Sequence, residues 1–241
     1  MECRCRSANR WLQLAALLCL WVPTVGAQDA GGDAKTTESA QPGDVNVRVS
    51  RVFTFVDKTG LGHQHAIEGN LAAGSRLQLG ADSEAGRLVF DMRSFDADTP
   101  TARRYLGLSG DTDASTRSKV NANMKGRDVL NVQRYPQATF DVGSALATGK
   151  TSQRGLPTYE LVGTFELHGT SKPIRILAEV EQARGWLHVR GSFVIAQTAY
   201  GITPFSKAFG AIGVADSLRI HGDLWVAPSS RVSMSQIPAR Q

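Results

Sequence analysis

The sequence predicts an antiparallel all-β domain of about eight strands closed into a barrel, with a short helical segment near the barrel mouth. Three observations predict it. Apolar and polar residues alternate with period two over much of Asp44–Pro228, and turn residues recur at short intervals. Gly69, Gly163, Gly191 and Gly222 interrupt strand interiors, where glycine marks a bulge or a sharp bend and hence strong curvature. About eight strands enclose an interior that takes packed side chains or one small ligand.

The first strand begins where Val45, Val47 and Val49 alternate with Asn46, Arg48 and Ser50, and it continues through Val52–Val56. Further strands are predicted at His65–Ala72, Ser75–Leu79, Arg87–Met92, Ala138–Leu146, Thr158–Leu167, Ile174–Glu181, Trp186–Ala196 and Ser217–Val226. In the last, Leu218, Ile220, Gly222, Leu224 and Val226 share one dry face, while Arg219, His221, Asp223 and Trp225 share the other. Asp113–Val132 departs from the β pattern. It is rich in Ser, Lys, Arg and Asn, Asp113 or Ser115 offers an N-cap and Gly126 a stop. Val120 and Met124, at i and i+4, lie on one face that suits covering the mouth.

The termini read differently. Arg4, Arg6 and Arg10 precede the apolar run Leu14–Val22, which Pro23 and the pair Gly26-Ala27 close. That is the pattern of an export signal over residues 1–27, cleaved after Ala27. Nine apolar residues are too few to span a bilayer core, which needs about 20, so the chain is not expected to be an integral membrane protein. Leu18 before Cys19 argues against lipidation there. Residues 28–43 carry no large apolar side chain and are expected to form a flexible linker, and 229–241 a frayed tail. The domain is therefore placed at 44–228, in a periplasmic or secreted protein.

Composition narrows the function. Cys3, Cys5 and Cys19 all lie in the leader, so the exported chain has neither disulfides nor a thiol nucleophile. Without the leader's Arg4, Arg6, Arg10 and Glu2 the formal net charge falls from +5 to +3; that excess is small and scattered, and no basic run interleaves with aromatics, so nucleic acid is not an expected partner. Phosphate-loop, nucleophile-elbow and dinucleotide patterns all fail: Gly143 stands one residue too far from Gly149-Lys150-Thr151, and His65 takes the place of a third glycine after Gly60-Leu-Gly62. Asp91, Asp96 and Asp98 sit beside a loop and read as solvated acids. His188 and His221 fall out of phase with the apolar faces and read as surface residues, and His168 as part of a hairpin turn before Gly169. His63 and His65 point the same way on a strand and would supply two donors of a transition-metal site; the same residues also read as a solvated turn. No catalytic residues and no cofactor are expected.

Phe53, Phe55, Phe90, Phe140, Phe165 and Phe193 are strand aromatics that would line either a solid core or, with Val120 and Met124 at the mouth, an apolar pocket. Three segments bear on that choice: Val129–Phe140 (VLNVQRYPQATF), Phe165–Pro173 (FELHGTSKP) and Tyr200–Phe205 (YGITPF). In that order and spacing the chain resembles the YceI-like family over about residues 45–227. Where several relatives carry Arg-Asp-x-x-His-Leu, this chain reads Val120-Asn-Ala-Asn123-Met124; where others read Asn-Arg-x-x-Phe-Gly, it has Ala196–Gly201 without the arginine. His63–His65 and Ser206–Gly210 (SKAFG) mark its own branch. The resemblance implies a lipocalin-like exported barrel that encloses an amphipathic hydrocarbon, an isoprenoid or quinone-like lipid, without catalysis. A periplasmic metal or redox module on His63 and His65, and an interaction domain with a solid core, are the alternatives.

Overall fold

The computed structural model describes residues 40–229; the expected leader, most of the linker and nearly all of the tail lie outside them. The strands are β1 (Arg51–Gly60), β2 (His65–Leu71), β3 (Arg76–Leu77), β4 (Gly86–Ala97), β5 (Gln137–Thr151), β6 (Pro157–Leu167), β7 (Thr170–Ala183), β8 (Trp186–Ala196), β9 (Ser206–Lys207) and β10 (Ile212–Val226). Neighbours pair antiparallel in the order β1-β2-β4-β5-β6-β7-β8-β10, and β10 pairs back onto β1, so eight long strands form a closed ring. The two-residue strands β3 and β9 are appended to β4 and β10. Closure removes the sheet edges that an open sheet would expose. The described residues belong to one compact unit, and the ring closes entirely within it.

The period-two pattern located the long strands but not all of their ends. Val45–Val49 do not belong to the first strand: Asp44 and Val45 make single bridges to Arg76 and Val226. The chain then turns where the Asn46 carbonyl accepts from the N–H groups of Val49 and Ser50. The curvature expected of the glycines is met in two ways. Register slips in β2 between Glu68 and Asn70, flanking Gly69, and in β5 between Val142 and Ser144, opposite Gly163. Gly191 and Gly222 instead stand directly opposite each other, with Ala178 facing Gly191 on the other side.

Two helices sit in the long β4–β5 connection. One, α2 (Ala114–Lys125), starts at Asp113, whose carboxylate accepts from Thr116 N–H, and stops at Gly126. The other, α1 (Pro100–Tyr105), was not anticipated. Thr99 caps it by accepting from Ala102 N–H, and Pro100 occupies its first turn, where a missing N–H costs nothing.

The barrel is filled unequally. At the end away from the helices, the segment around β3 crosses beneath the barrel, and Leu77, Leu79, Ala81 and Ala85 are buried in it. Backbone bonds from Gly80 N–H to Ala145 O (2.7 Å) and from Ala145 N–H to Ala81 O (2.8 Å) stitch that plug to β5. Tyr159, Val180, Leu187 and Val226 complete a solid layer.

Candidate functional site

Above this layer the barrel is hollow. Side chains at alternate positions point inward, and across three adjacent strands one inward row consists of Ala178, Gly191 and Gly222, in register. A methyl and two hydrogens leave a gap that larger residues would close. The result is a cavity of about 210 Å³.

Its walls are almost wholly apolar. Phe90, Phe140, Phe165 and Phe193 line it, together with aliphatic side chains such as Val52, Ile67, Leu161 and Ile220. The Phe165 ring meets Phe90, Phe193 and Tyr200 edge-on, with centroids 6.3, 5.4 and 5.8 Å away. Such edge-to-face pairs prefer fixed geometry, and they set the shape of the wall. Val120 and Met124 of α2 also face the cavity, as do Phe205 from the β8–β10 connection and Val214 from the start of β10. Helix α2 buries no residue fully, so polar clamps hold it over the mouth. Arg117 bonds to the Asp96 carboxylate, and its Nε donates to Ala97 O at 2.8 Å. Asn121 donates to Asp96 at 2.6 Å and accepts from Ala97 N–H at 2.9 Å, and Lys125 donates to Arg93 O at 2.9 Å.

Phe53 and Phe55, which the sequence grouped with the lining aromatics, do not line the cavity. On β1 it is Val52, Thr54 and Val56 that face inward, so period two sends both phenylalanines outward. Phe53 is nonetheless buried, stacked on Tyr105 of α1 with centroids 3.9 Å apart. Helix α1 thus covers an apolar patch on the outside of the barrel, where its Ala102 packs with Phe53 and Ala66.

The polar side chains of the lining are Thr54, His65, Asn123 and Gln197, and His65 alone among the described lining residues is ionisable. Its Nδ1 lies 2.7 Å from Asp98 Oδ2. Asp98 is not the solvated acid expected from the sequence: its side chain is 1% exposed. It also accepts from Ala66 N–H at 3.0 Å and from Arg103 at 3.1 Å. Burial opposes its charge, but the hydrogen bonds from His65 and Ala66 and the nearby positive charges outweigh that and hold its carboxyl below the usual range. An ionised Asp98 only accepts, so His65 Nδ1 carries the proton, and Nε2 is the ring's remaining hydrogen-bonding atom. Asp96, likewise, is engaged by α2.

His63 does not join His65. It is exposed in the β1–β2 loop, whereas His65 opens β2. Among the described residues no group of three or more His, Cys, Asp or Glu is placed to hold a metal ion. His188 and His221 are half-buried rather than superficial. His188 Nε2 lies 2.8 Å from Asp223 Oδ1, and its ring stacks on Trp225. Burial, then the Arg219 charge, lowers the His221 pKa. Beside it, burial followed by the Asp223 charge pushes the Tyr105 hydroxyl up to about 12. His168 does occupy the β6–β7 turn, with φ of 53°, and packs on Tyr135.

Sequence reasoning missed Thr54, Asn123, Gln197, Met92, Phe95 and Phe205 as lining residues. The phase of the Val52-x-Thr54-x-Val56 alternation was the available signal for the first of these.

Comparison with known proteins bears on the family and the fold. A family model described as the YceI-like domain matches residues 39–225. A UPF0312 protein of Azotobacter vinelandii is 30% identical over 86 residues, which are 35% of this chain and 42% of that protein. The match thus spans about two fifths of the curated relative's length. Among solved structures, BcnA of Burkholderia cenocepacia superposes with a TM-score of 0.51 at 18% identity, over 76% of this chain and 99% of its own. That likeness is one of fold. A polyisoprenoid binding domain from Saccharophagus degradans aligns with a TM-score of 0.47 at 13% identity, over 78% of this chain and all (100%) of that one.

Proposed function

The chain belongs to the family of YceI-like domains, and from that membership and its cavity we propose that it is an exported, non-enzymatic carrier that encloses one amphipathic hydrocarbon, an isoprenoid or quinone-like lipid. The observation that carries this reading is the half-hollow barrel: an apolar chamber over a solid floor, roofed by a helix that few apolar contacts hold. Each buried methylene of a ligand contributes about 0.8 kcal/mol, so a prenyl chain binds without a charged anchor. The absence of the arginine that relatives carry near Tyr200 is consistent with that.

The few polar groups orient the ligand. His65, fixed by Asp98, leaves its Nε2 for a hydrogen bond with a hydroxyl headgroup, and Thr54 and Asn123 add further polar atoms. The tail then runs towards the Ala178–Gly191–Gly222 row. Organic extraction of purified protein followed by mass spectrometry tests the proposal. A co-purifying prenyl lipid near one per chain is expected; no lipid after purification, together with no uptake of added prenyl chains, overturns it.

A further inference from the structure

At the mouth, three strands project past their neighbours. Pairing of β1 with β2 ends at Val56↔His65, and pairing of β10 with β8 ends at Ser217↔Ala196. Beyond those points β1 continues against β10 through Lys58↔Val214, Thr59↔Gly213 and Gly60↔Ile212. Strand β9 adds itself to the other side of β10 through Lys207↔Ile212 and Ser206↔Gly213. The tip of this ribbon carries apolar side chains with nothing over them: Phe209 is fully exposed, Leu61 is 80% exposed and Ile212 42%. They lie together, because Leu61 N–H donates to Ala211 O at 2.9 Å. Ala208 and Phe209 both have positive φ, 51° and 55°. L residues rarely hold that conformation, and it persists where the surrounding structure or a function fixes it.

The flanks of the tip are basic. Lys58 and Lys207 are exposed on either side of it; Asp57, beside Lys58, is an exposed carboxylate whose charged form is favoured by hydrogen bonds from Gln64 at 3.0 Å and the Lys58 N–H at 2.8 Å, so Lys207 is the shoulder without an adjoining acid in sequence. The base of the same ribbon is cavity wall: Val56, Phe205 and Val214 belong to the lining. An apolar tip with lysine shoulders, continuous with the mouth of an apolar chamber, is complementary to a bilayer surface. Aromatic and aliphatic side chains enter the acyl boundary while ammonium groups meet anionic headgroups. We propose that this ribbon docks the barrel, mouth first, on anionic phospholipid membranes. Docking needs only the tip residues and takes place whether or not the chamber is filled.

Sedimentation of the purified protein with vesicles of phosphatidylglycerol and phosphatidylethanolamine tests this. Vesicles of phosphatidylcholine serve as the uncharged control. Binding to the anionic vesicles is expected. Phe209→Asp and Leu61→Asp should each weaken it about tenfold, Phe209→Trp should keep it, and Lys58→Gln with Lys207→Gln should weaken it about fivefold per lysine and remove its salt dependence. All these positions are exposed, so thermal unfolding of the variants should match the parent. Failure of the parent to sediment, or equal sedimentation of the Asp variants, overturns the proposal. So does a concentration-dependent dimer abolished by the same substitutions without vesicle binding, which would assign the tip to a second copy of the chain. Prenyl uptake measured in vesicle-free solution is a separate readout, so loss of docking and loss of cargo binding are distinguishable.

Discussion

Asp98 shows how a single carboxylate ties the mouth together. It joins the start of β2, through His65 and Ala66, to α1, through Arg103, and its side chain is 1% exposed. Arg103 in turn donates to the carbonyls of Ser109 and Gly110, fixing the loop that leads to α2. Asp98→Asn keeps the shape and one acceptor for Ala66 but leaves Arg103 without its counter-charge. Breaking such a buried pair costs about 3 kcal/mol, and chemical denaturation at pH 7 should read that loss. The pH dependence has a definite sign. The folded carboxyl lies below its unfolded value near 3.9, so its stabilisation is full above about pH 4 and fades as pH falls through the folded value. The gap between parent and variant should therefore shrink below about pH 4; a gap unchanged at pH 3 would show that charge is not the cause.

At the scale of elements, the parts legible in the sequence were those whose signals are local. Asp113 and Gly126 bound α2 because a cap acts within one turn of its own chain. The same grammar was present at Thr99-Pro100, yet six residues are too few for an apolar period, and α1 went unread. The consequence reached β1. Phe53 belongs to the outer face only because α1, some fifty residues downstream, covers it there, and local alternation carries no knowledge of such a cover. Helix α2 also makes a prediction. With its hold on the barrel largely polar and no residue fully buried, it should open before the strands do. Asp113→Ala removes the cap and costs about 1 kcal/mol. In hydrogen exchange, amides of Ala114–Lys125 should lose protection by about fivefold while those of β5 to β8 stay unchanged. Equal loss across the barrel would mean that the helix is part of the global fold rather than a separately opening roof.

For the whole molecule, the hollow was the feature least accessible to sequence, since it depends on register. Ala178, Gly191 and Gly222 are unremarkable on their own strands and matter because three pairings align them. Solid core and open pocket, opposed at the level of sequence, occupy different layers of one barrel. Of the three, Gly222 is the position with room: a Cβ there would meet only Leu224 Cγ at 3.9 Å, whereas at Gly191 it would crowd Ile176 Cγ2 at 2.9 Å. Gly222→Leu should therefore fill the chamber from within. Burying a leucine contributes about 1.5–3 kcal/mol, offset by about 1–3 kcal/mol of imperfect fit that the open space at this position keeps towards its lower end, and the strand gains from losing a glycine. The ligand-free variant should melt a few degrees higher than the parent, at about 2–4 °C per kcal/mol. A prenyl lipid at a hundred times its Kd adds about 2.7 kcal/mol to the parent, and this increment should vanish in the variant. Opposite signs in the two states distinguish a filled chamber from a damaged barrel, which would melt lower in both. A variant that still gains stability from lipid would place the ligand elsewhere on the molecule.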